Sequence, residues 1–139
     1  MTIQLAEAFA EAYHEGQTYG DKPYMYHIDM VVENVRQLYA TDQDLEELMQ
    51  VAYLHDILED TAILPETLEA IFSENVCTAV HYITKSSEYS YDVYIQDLKY
   101  CELARKVKVA DSLANLQCSL ANRDSKRVIK YTNVLKELT

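Results

Sequence analysis

Four side chains of this 139-residue chain could together hold a divalent metal ion. They are His27, His55, Asp56 and Asp111, and each lies in or beside an apolar stripe of helical spacing. Two imidazoles and two carboxylates without a thiolate suit Mn²⁺, and also Fe²⁺, Co²⁺ or Mg²⁺. Four protein ligands on a six-coordinate ion leave two positions for water or a substrate oxygen. A single histidine on an apolar face is more often a core residue, so the prediction of a catalytic metal depends on the set.

Polar residues near these four could carry the proton transfers of a hydrolysis. Glu59 and Asp60 follow the His-Asp pair by four residues, so on a continuous helix they would lie directly over it. Two carboxylates in that position can take a proton from an attacking water or give one to a leaving group. Asn115 follows Asp111 by four residues and is predicted to hydrogen-bond a substrate or a metal ligand.

Helical periodicity over almost the whole chain must position these residues, and no segment has the alternation of a convincing strand. The predicted fold is a single compact all-α bundle over residues 1–139, with about six to eight helices. Residues 84–92 are polar and tyrosine-rich and are predicted to form a loop. The predicted helices lie at about 3–13, at 27–38, from Thr41 through Asp60, from Pro65 to near Phe72, after a cap at Ser73, at about 92–100, at 102–121, and after a cap at Asp124.

The third of these helices carries an unusual inward face. Thr41 followed by Asp44 resembles a capping box and is predicted to open it. Its inward stripe begins with leucine and alanine and ends with His55 and Glu59. Because an unpaired buried charge is costly, the ionisable end predicts a functional site there.

The composition limits the classes of function. With 23 acidic and 12 basic residues the formal charge is −11, which excludes a duplex nucleic-acid binder. Residues 1–74 hold 16 acids and two bases, so this half is either a solvated acidic face or holds a carboxylate cluster for a cation. The three cysteines form no CxxC pair. We expect a cytoplasmic protein with reduced cysteines, no secretory signal and no membrane span.

Several motifs resemble the HD superfamily of metal-dependent phosphohydrolases, in the order of that family. The resemblance is closest to the small stand-alone hydrolases related to the hydrolase domain of RelA/SpoT enzymes. It spans about residues 6–118. The segments that carry it are AYHEGQ (12–17), PYMYH (23–27), VAYLHDILEDT (51–61), ITK (83–85) and VKVADSLANL (107–116).

The resemblance implies an all-α HD domain and a role for each candidate residue. It implies one metal ion, usually Mn²⁺, held by the two histidines and two aspartates named first. It implies that Glu59 and Asp60 position or activate the attacking water and that Asn115 contacts the substrate. The implied activity is removal of pyrophosphate from the 3′ position of guanosine tetra- or pentaphosphate, with a small-molecule nucleotide as the partner. A homo-oligomer is compatible with this.

The chain departs from the family pattern at three places. Residues 18–20 are Thr-Tyr-Gly where the family's nucleotide hydrolases carry an Arg-Lys pair, and the loop is one residue shorter. Ile28 stands where proline is usual, and Ser112 where arginine is common. These changes weaken the binding of a nucleotide by positively charged side chains. Other cations could compensate, with Lys22 and Lys85 predicted as substrate contacts and two further candidates, Arg105 and Lys108.

Three hypotheses about function follow from the sequence. The first is a Mn²⁺-dependent guanosine 3′,5′-bis(diphosphate) 3′-pyrophosphohydrolase. The second is a phosphohydrolase of the same chemistry acting on a different nucleotide, such as a monophosphate, a dinucleotide or a cyclic nucleotide. The third is a non-catalytic HD domain that senses a nucleotide or a metal without turnover. A manganese-supplemented assay over phosphorylated nucleotides distinguishes them.

Overall fold

The computed structural model describes residues 2–139, and within that range it is built almost entirely of helices. This confirms the predicted all-α class. In chain order the elements are α1 (Thr2–Tyr13), β1 (Thr18–Tyr19), β2 (Lys22–Pro23), α2 (Tyr24–Leu38), α3 (Leu45–Leu54), α4 (Ile57–Asp60), α5 (Pro65–Glu69), α6 (Glu74–Ile83), α7 (Tyr91–Leu98), α8 (Glu102–Ala121) and α9 (Ser125–Leu138).

The long helix α8 organises the bundle. It packs against α2, α3, α6, α7 and α9, and α1 completes the opposite side by packing on α3. The apolar core between these helices is fully buried at large side chains such as Ile28, Leu48 and Leu98. Burial of this kind supplies the main stabilisation of a helical domain. No helix within residues 2–139 has both the length and the apolar character needed to span a bilayer.

Three predicted helix starts are confirmed and one is wrong. The Ser73 side chain accepts the N–H of Val76, the Asp124 side chain caps α9, and Pro65 stands in the first turn of α5. The capping box proposed for the third helix does not form. Helix α3 begins at Leu45 without a side-chain cap from Asp44, whose own N–H donates to a carboxylate two residues earlier.

The third predicted helix is interrupted next to the candidate site. Helix α3 ends at Leu54, and α4 resumes as a single turn after a break at His55 and Asp56. At Asp56 the backbone has φ −104° and ψ 1°, outside the helical region, so the chain changes direction there. Periodicity predicted one helix because the apolar spacing continues across the break.

A small hairpin between α1 and α2 was not predicted. Strands β1 and β2 are antiparallel, with Thr18 opposite Pro23 and Tyr19 opposite Lys22. Gly20 turns the chain with a φ of 62°, which glycine adopts at little cost. Two-residue strands are too short to show alternation, so only the glycine marked the turn. The hairpin places Tyr19 near the candidate site.

Candidate active site

Two histidines and one aspartate meet where three helical segments converge. His27 comes from α2, His55 follows α3, and Asp111 lies in the middle of α8. His27 Nε2 is 2.9 Å from Asp111 Oδ1, and His55 Nε2 is 3.4 Å from the same oxygen. All three side chains are buried, and one potential ligand atom from each lies within 4.8 Å of the others. This group could bind a metal ion.

The fourth predicted ligand, Asp56, joins this group through His55. Its Oδ2 is 3.0 Å from His55 Nε2, but Asp56 is not part of the three-residue cluster. The same oxygen accepts a hydrogen bond from the hydroxyl of Tyr24. The structure therefore brings the four side chains into one contact network, with Asp56 at its edge.

The ring nitrogens of His55 indicate that the cluster fits a cation. Nδ1 lies 2.7 Å from the Ala52 carbonyl, which can only accept, so Nδ1 carries the proton. In the neutral ring, Nε2 then presents its lone pair to the carboxylates of Asp56 and Asp111. Buried Nε2 has no hydrogen-bond partner within residues 2–139, although both carboxylates are close. A lone pair facing two carboxylates needs a positive charge between them, which either a proton on Nε2 or a divalent cation can supply.

The electrostatics of the group favour positive charge. Burial alone would raise the pKa of Asp111, but the Lys108 ammonium and the two histidines hold that pKa well below its usual range. Burial likewise opposes ionisation of Asp56, but contact with His55 lowers its pKa to about 2. Burial would lower the pKa of His55, yet the two aspartates raise it well above its ordinary value. Both carboxylates are thus ionised at neutral pH and could act as metal ligands.

The predicted acidic pair lies on α4 beside the cluster. Glu59 Oε1 accepts the N–H of Lys85 at 2.8 Å, and Asp60 Oδ2 accepts from Gln17 Nε2 at 3.1 Å. Gln17 is itself held by His14 Nδ1, 2.7 Å from its side-chain oxygen. Burial raises the pKa of Glu59, the Lys85 N–H opposes that rise, and neighbouring carboxylates add to it. Both carboxylates line the cavity described below.

Asn115 lies on the same side of α8 as Asp111, as its spacing predicted. Its Nδ2 donates to Asp111 Oδ1 at 3.3 Å, and its Oδ1 accepts from the Tyr19 hydroxyl at 2.6 Å. Tyr19 also stacks on His27. The hairpin is therefore tied to both α2 and α8 at this site.

A cavity of about 570 Å³ opens over the cluster. Four cations line it: Lys85, Lys108, Arg127 and Lys130. Lys85 was a predicted substrate contact, and its ammonium donates to carbonyls of the following loop, at 3.0 and 2.9 Å. Two other sequence candidates are not among the lining residues. Lys22 lies over the Tyr26 ring, and Arg105 donates to the carbonyl of Leu138.

Sequence reasoning missed the contribution of α9 to this cavity. Arg127 and Lys130 are three residues apart, so they share one face of that helix. Their spacing was visible in the sequence. What could not be seen was that α9 packs along α8 with this face turned to the cavity.

The class of fold is confirmed by comparison with solved structures. The chain has the all-α HD-domain fold of a metazoan ortholog of SpoT that is described as hydrolysing ppGpp. The TM-score is 0.78 and the identity 23%, over 99% of this chain and 83% of that one.

Among curated proteins, the chain is similar to the probable guanosine-3′,5′-bis(diphosphate) 3′-pyrophosphohydrolase of Synechocystis sp. They are 26% identical over 144 residues, which cover 92% of this chain and 18% of that protein. The chain thus spans less than a fifth of the length of this relative. No family model matches the sequence. Both proteins are named for the activity that the motif resemblance implied.

Proposed function

We propose that this protein is a metal-dependent phosphohydrolase whose substrate is guanosine 3′,5′-bis(diphosphate). The reaction adds water across the bond between the 3′ oxygen and its phosphorus, and releases GDP and pyrophosphate. The observation that carries the proposal is the buried group of His27, His55 and Asp111 at a cavity lined by four cations. The named activity of the two relatives supports the choice of nucleotide.

The proposed metal ligands are His27, His55, Asp56 and Asp111, and the proposed ion is Mn²⁺. A bound divalent ion would supply Lewis acidity and offset the negative charge of the attacked phosphate. Both imidazoles direct Nε2 toward Asp111, and both carboxylates are ionised for the electrostatic reasons given above. The residues are thus arranged to bind a cation without a large rearrangement.

Glu59 and Asp60 are the proposed groups that move protons. A carboxylate with a raised pKa is a better base than an ordinary one, and burial raises the pKa of Glu59. In the proposed reaction Glu59 accepts a proton from the attacking water and returns it to the departing 3′ oxygen as the bond between that oxygen and phosphorus breaks. The hydrogen bond from Gln17 holds the Asp60 carboxylate in place beside it.

The cations of the cavity are the proposed binding groups for the phosphates. Arg127 and Lys130 bring positive charge to one side of the cavity on a chain whose formal charge is −11, and Lys108 near them is paired with Asp111. A highly charged anion would otherwise be repelled, so this local positive charge is needed for binding. Asn115, whose amide reaches the same cavity, is the proposed uncharged substrate contact.

An assay of the metal-free protein reloaded with MnCl₂ tests this function. We expect release of pyrophosphate and GDP from guanosine tetraphosphate, and no release after chelation. His55→Ala should lose both Mn²⁺ binding and turnover, because it removes one of the three buried ligands. Substitution of Tyr100, which is 81% exposed, is the control. A Mn²⁺-loaded protein that leaves the nucleotide intact would contradict the proposal.

A different nucleotide substrate is the second candidate. It is favoured by residues 18–20, which offer no cation where the family has an Arg-Lys pair, and by Lys22, which lies outside the cavity lining. The same assay over nucleoside monophosphates, dinucleotides and cyclic nucleotides separates the two. Tight nucleotide binding without hydrolysis of any of them would instead identify a sensing domain.

We also propose that residues 1–139 form a single domain and that the protein works in the cytoplasm. The three cysteines are free of disulfides among residues 2–139, which supports a reducing compartment. Self-association remains a prediction, which sedimentation of the purified protein would test. Metal analysis of the purified protein would distinguish Mn²⁺ from Fe²⁺, Co²⁺ and Mg²⁺.

A further inference from the structure

The two histidines of the cluster are held in different ways. His55 has its Nδ1 fixed by the Ala52 carbonyl at 2.7 Å. Nδ1 of His27 is buried and has no hydrogen-bond partner within residues 2–139. Histidines that bind metals almost always use the second nitrogen in a hydrogen bond, which fixes the orientation of the ring. His27 lacks that restraint, and the torsion that turns its ring is intrinsically broad.

The ring of Tyr19 lies where it can restrain His27 instead. The two ring centroids are 4.6 Å apart and the planes differ by only 16°, so the rings are stacked. Tyr24 also approaches His27, but at 5.6 Å and with a tilt of 53°. Of the two tyrosine rings, that of Tyr19 is therefore the one that better opposes rotation of the imidazole out of its plane.

The hydroxyl of Tyr19 makes a second connection to the cluster. It donates to Asn115 Oδ1 at 2.6 Å, which leaves the amide Nδ2 directed to Asp111 Oδ1 at 3.3 Å. The same Asp111 oxygen is 2.9 Å from His27 Nε2. One side chain on the hairpin thus contacts two of the neighbours of Asp111.

We propose that Tyr19 is a positioning residue of the metal site, with separate roles for its ring and its hydroxyl. The ring fixes the plane of the His27 imidazole so that Nε2 faces the ion. The hydroxyl fixes the amide of Asn115 and so the orientation in which it meets the substrate. The inference rests on the proposed function in one respect, because it assumes that His27 binds a metal.

Mn²⁺ binding to the metal-free full chain, measured by titration calorimetry, tests the role of the ring. Tyr19→Leu removes the stack and should weaken Mn²⁺ binding about tenfold, the usual size of an outer-shell effect. Tyr19→Phe keeps the stack and should bind Mn²⁺ as the unmodified protein does, with a lower kcat or higher KM through Asn115. Tyr100→Leu makes the same change at a side chain that is 81% exposed and should change neither.

The imidazole signals of the metal-free protein give a readout that does not depend on activity. The chain has four histidines, so each can be assigned by substitution. Tyr19→Leu should broaden the ring signals of His27 by exchange and leave those of His55 sharp. If this variant lacks the native circular dichroism spectrum, Tyr19→Met is judged by the same criteria.

Two outcomes would overturn the inference or its basis, and they are distinguishable. Sharp His27 signals and undiminished Mn²⁺ affinity in the folded variant would show that Tyr19 does not position the ring. Failure of the unmodified protein to bind Mn²⁺ would instead contradict the proposed function. In that case the broadening of the His27 signals still decides whether Tyr19 orders this ring.

Discussion

The ion pair between Lys108 and Asp111 is a largely buried charge contact of the site. Lys108 Nζ lies 3.1 Å from Asp111 Oδ2, and the two side chains are only 12% and 6% exposed. Removing one partner leaves the other charge buried with less compensation. We therefore expect Lys108→Met to lower the free energy of unfolding of the metal-free protein by about 3 kcal/mol. Urea denaturation in the presence of a chelator measures this loss.

The matched control is Lys99→Met, which makes the same substitution at an exposed ion pair. Lys99 lies 3.1 Å from Glu137, the same distance as in the buried pair, but both side chains are well exposed. Surface pairs contribute little, because water and salt screen them. A loss at Lys99 as large as that at Lys108 would contradict the argument from burial.

Glu59→Gln tests the proposed general base. The substitution keeps the shape of the side chain but removes its ability to accept a proton. We expect unchanged Mn²⁺ affinity and a fall in kcat of about 10² to 10⁴, the range typical of general acid–base catalysis. Calorimetry and steady-state rates measure the two quantities. Equal losses in Mn²⁺ binding and rate would place Glu59 among the ligands instead.

The pKa of Glu59 also predicts a pH dependence. Burial raises this pKa above its ordinary value of 4.5, and the active form is the carboxylate. Activity should therefore fall as the pH drops through the raised pKa, at a pH above 4.5, and Glu59→Gln should lack this limb. The contribution of Glu59 to the free energy of unfolding depends on pH in the opposite direction from activity. The folded state binds the proton more tightly, so the stabilisation present at low pH is lost as the pH rises through the folded pKa.

Most of what the sequence predicted about the site came from the chemical types of its residues. His27, His55 and Asp111 were found because ionisable side chains interrupt apolar stripes, and the structure brings them together. The sequence could not show which of Lys22 and Lys85 lines the cavity, because an exposed cation does not interrupt the pattern of apolar residues. Only the three-dimensional path of the hairpin shows that Lys22 lies outside the cavity lining.

At the scale of elements, the N-terminal cap of α9 affects both the stability of the fold and the position of Arg127 at the cavity. The Asp124 side chain accepts the N–H of Arg127 at 3.2 Å, in the turn that also brings Arg127 to the cavity. We expect Asp124→Ala to lower the free energy of unfolding by about 1 kcal/mol. Asp124→Asn removes the same charge but retains a capping oxygen, so it should stay close to the unmodified protein. Denaturant titration of the three proteins compares them.

If both Asp124 variants lost the same stability, the charge and not the cap would be responsible. A further check is the KM of each variant for the nucleotide. Loss of the cap frays the first turn of α9, which carries Arg127, so Asp124→Ala should raise KM relative to Asp124→Asn. Unchanged KM values would show that α9 packing alone positions Arg127.

The elements that the sequence missed share a physical cause. Period-3.6 spacing continues through His55 and Asp56, so the break between α3 and α4 depends on backbone torsions that no side-chain pattern records. The strands of the hairpin are two residues long, below the length at which alternation can be seen. The helix caps at Ser73 and Asp124 were predicted correctly, because at each position one side chain accepts a backbone N–H of the first turn.

At the scale of the whole molecule, the cluster joins three parts of the fold that are far apart in sequence. His27 and Asp111 are separated by 84 positions and lie on helices that pack directly on each other. An ion bound between them would be bound by the folded state only. Folding and metal binding are therefore expected to be coupled.

Thermal unfolding should reveal this coupling. With free Mn²⁺ at about 100 times its Kd, the free energy of unfolding should rise by about 2.7 kcal/mol and Tm by about 9 °C. His55→Ala should show no such rise, because the ion loses a buried ligand. A KCl series at matched ionic strength is needed as well, since salt screens the self-repulsion of a chain with a formal charge of −11. A rise that KCl reproduces, or that His55→Ala retains, would mean that Mn²⁺ acts on the surface charge and not at the cluster.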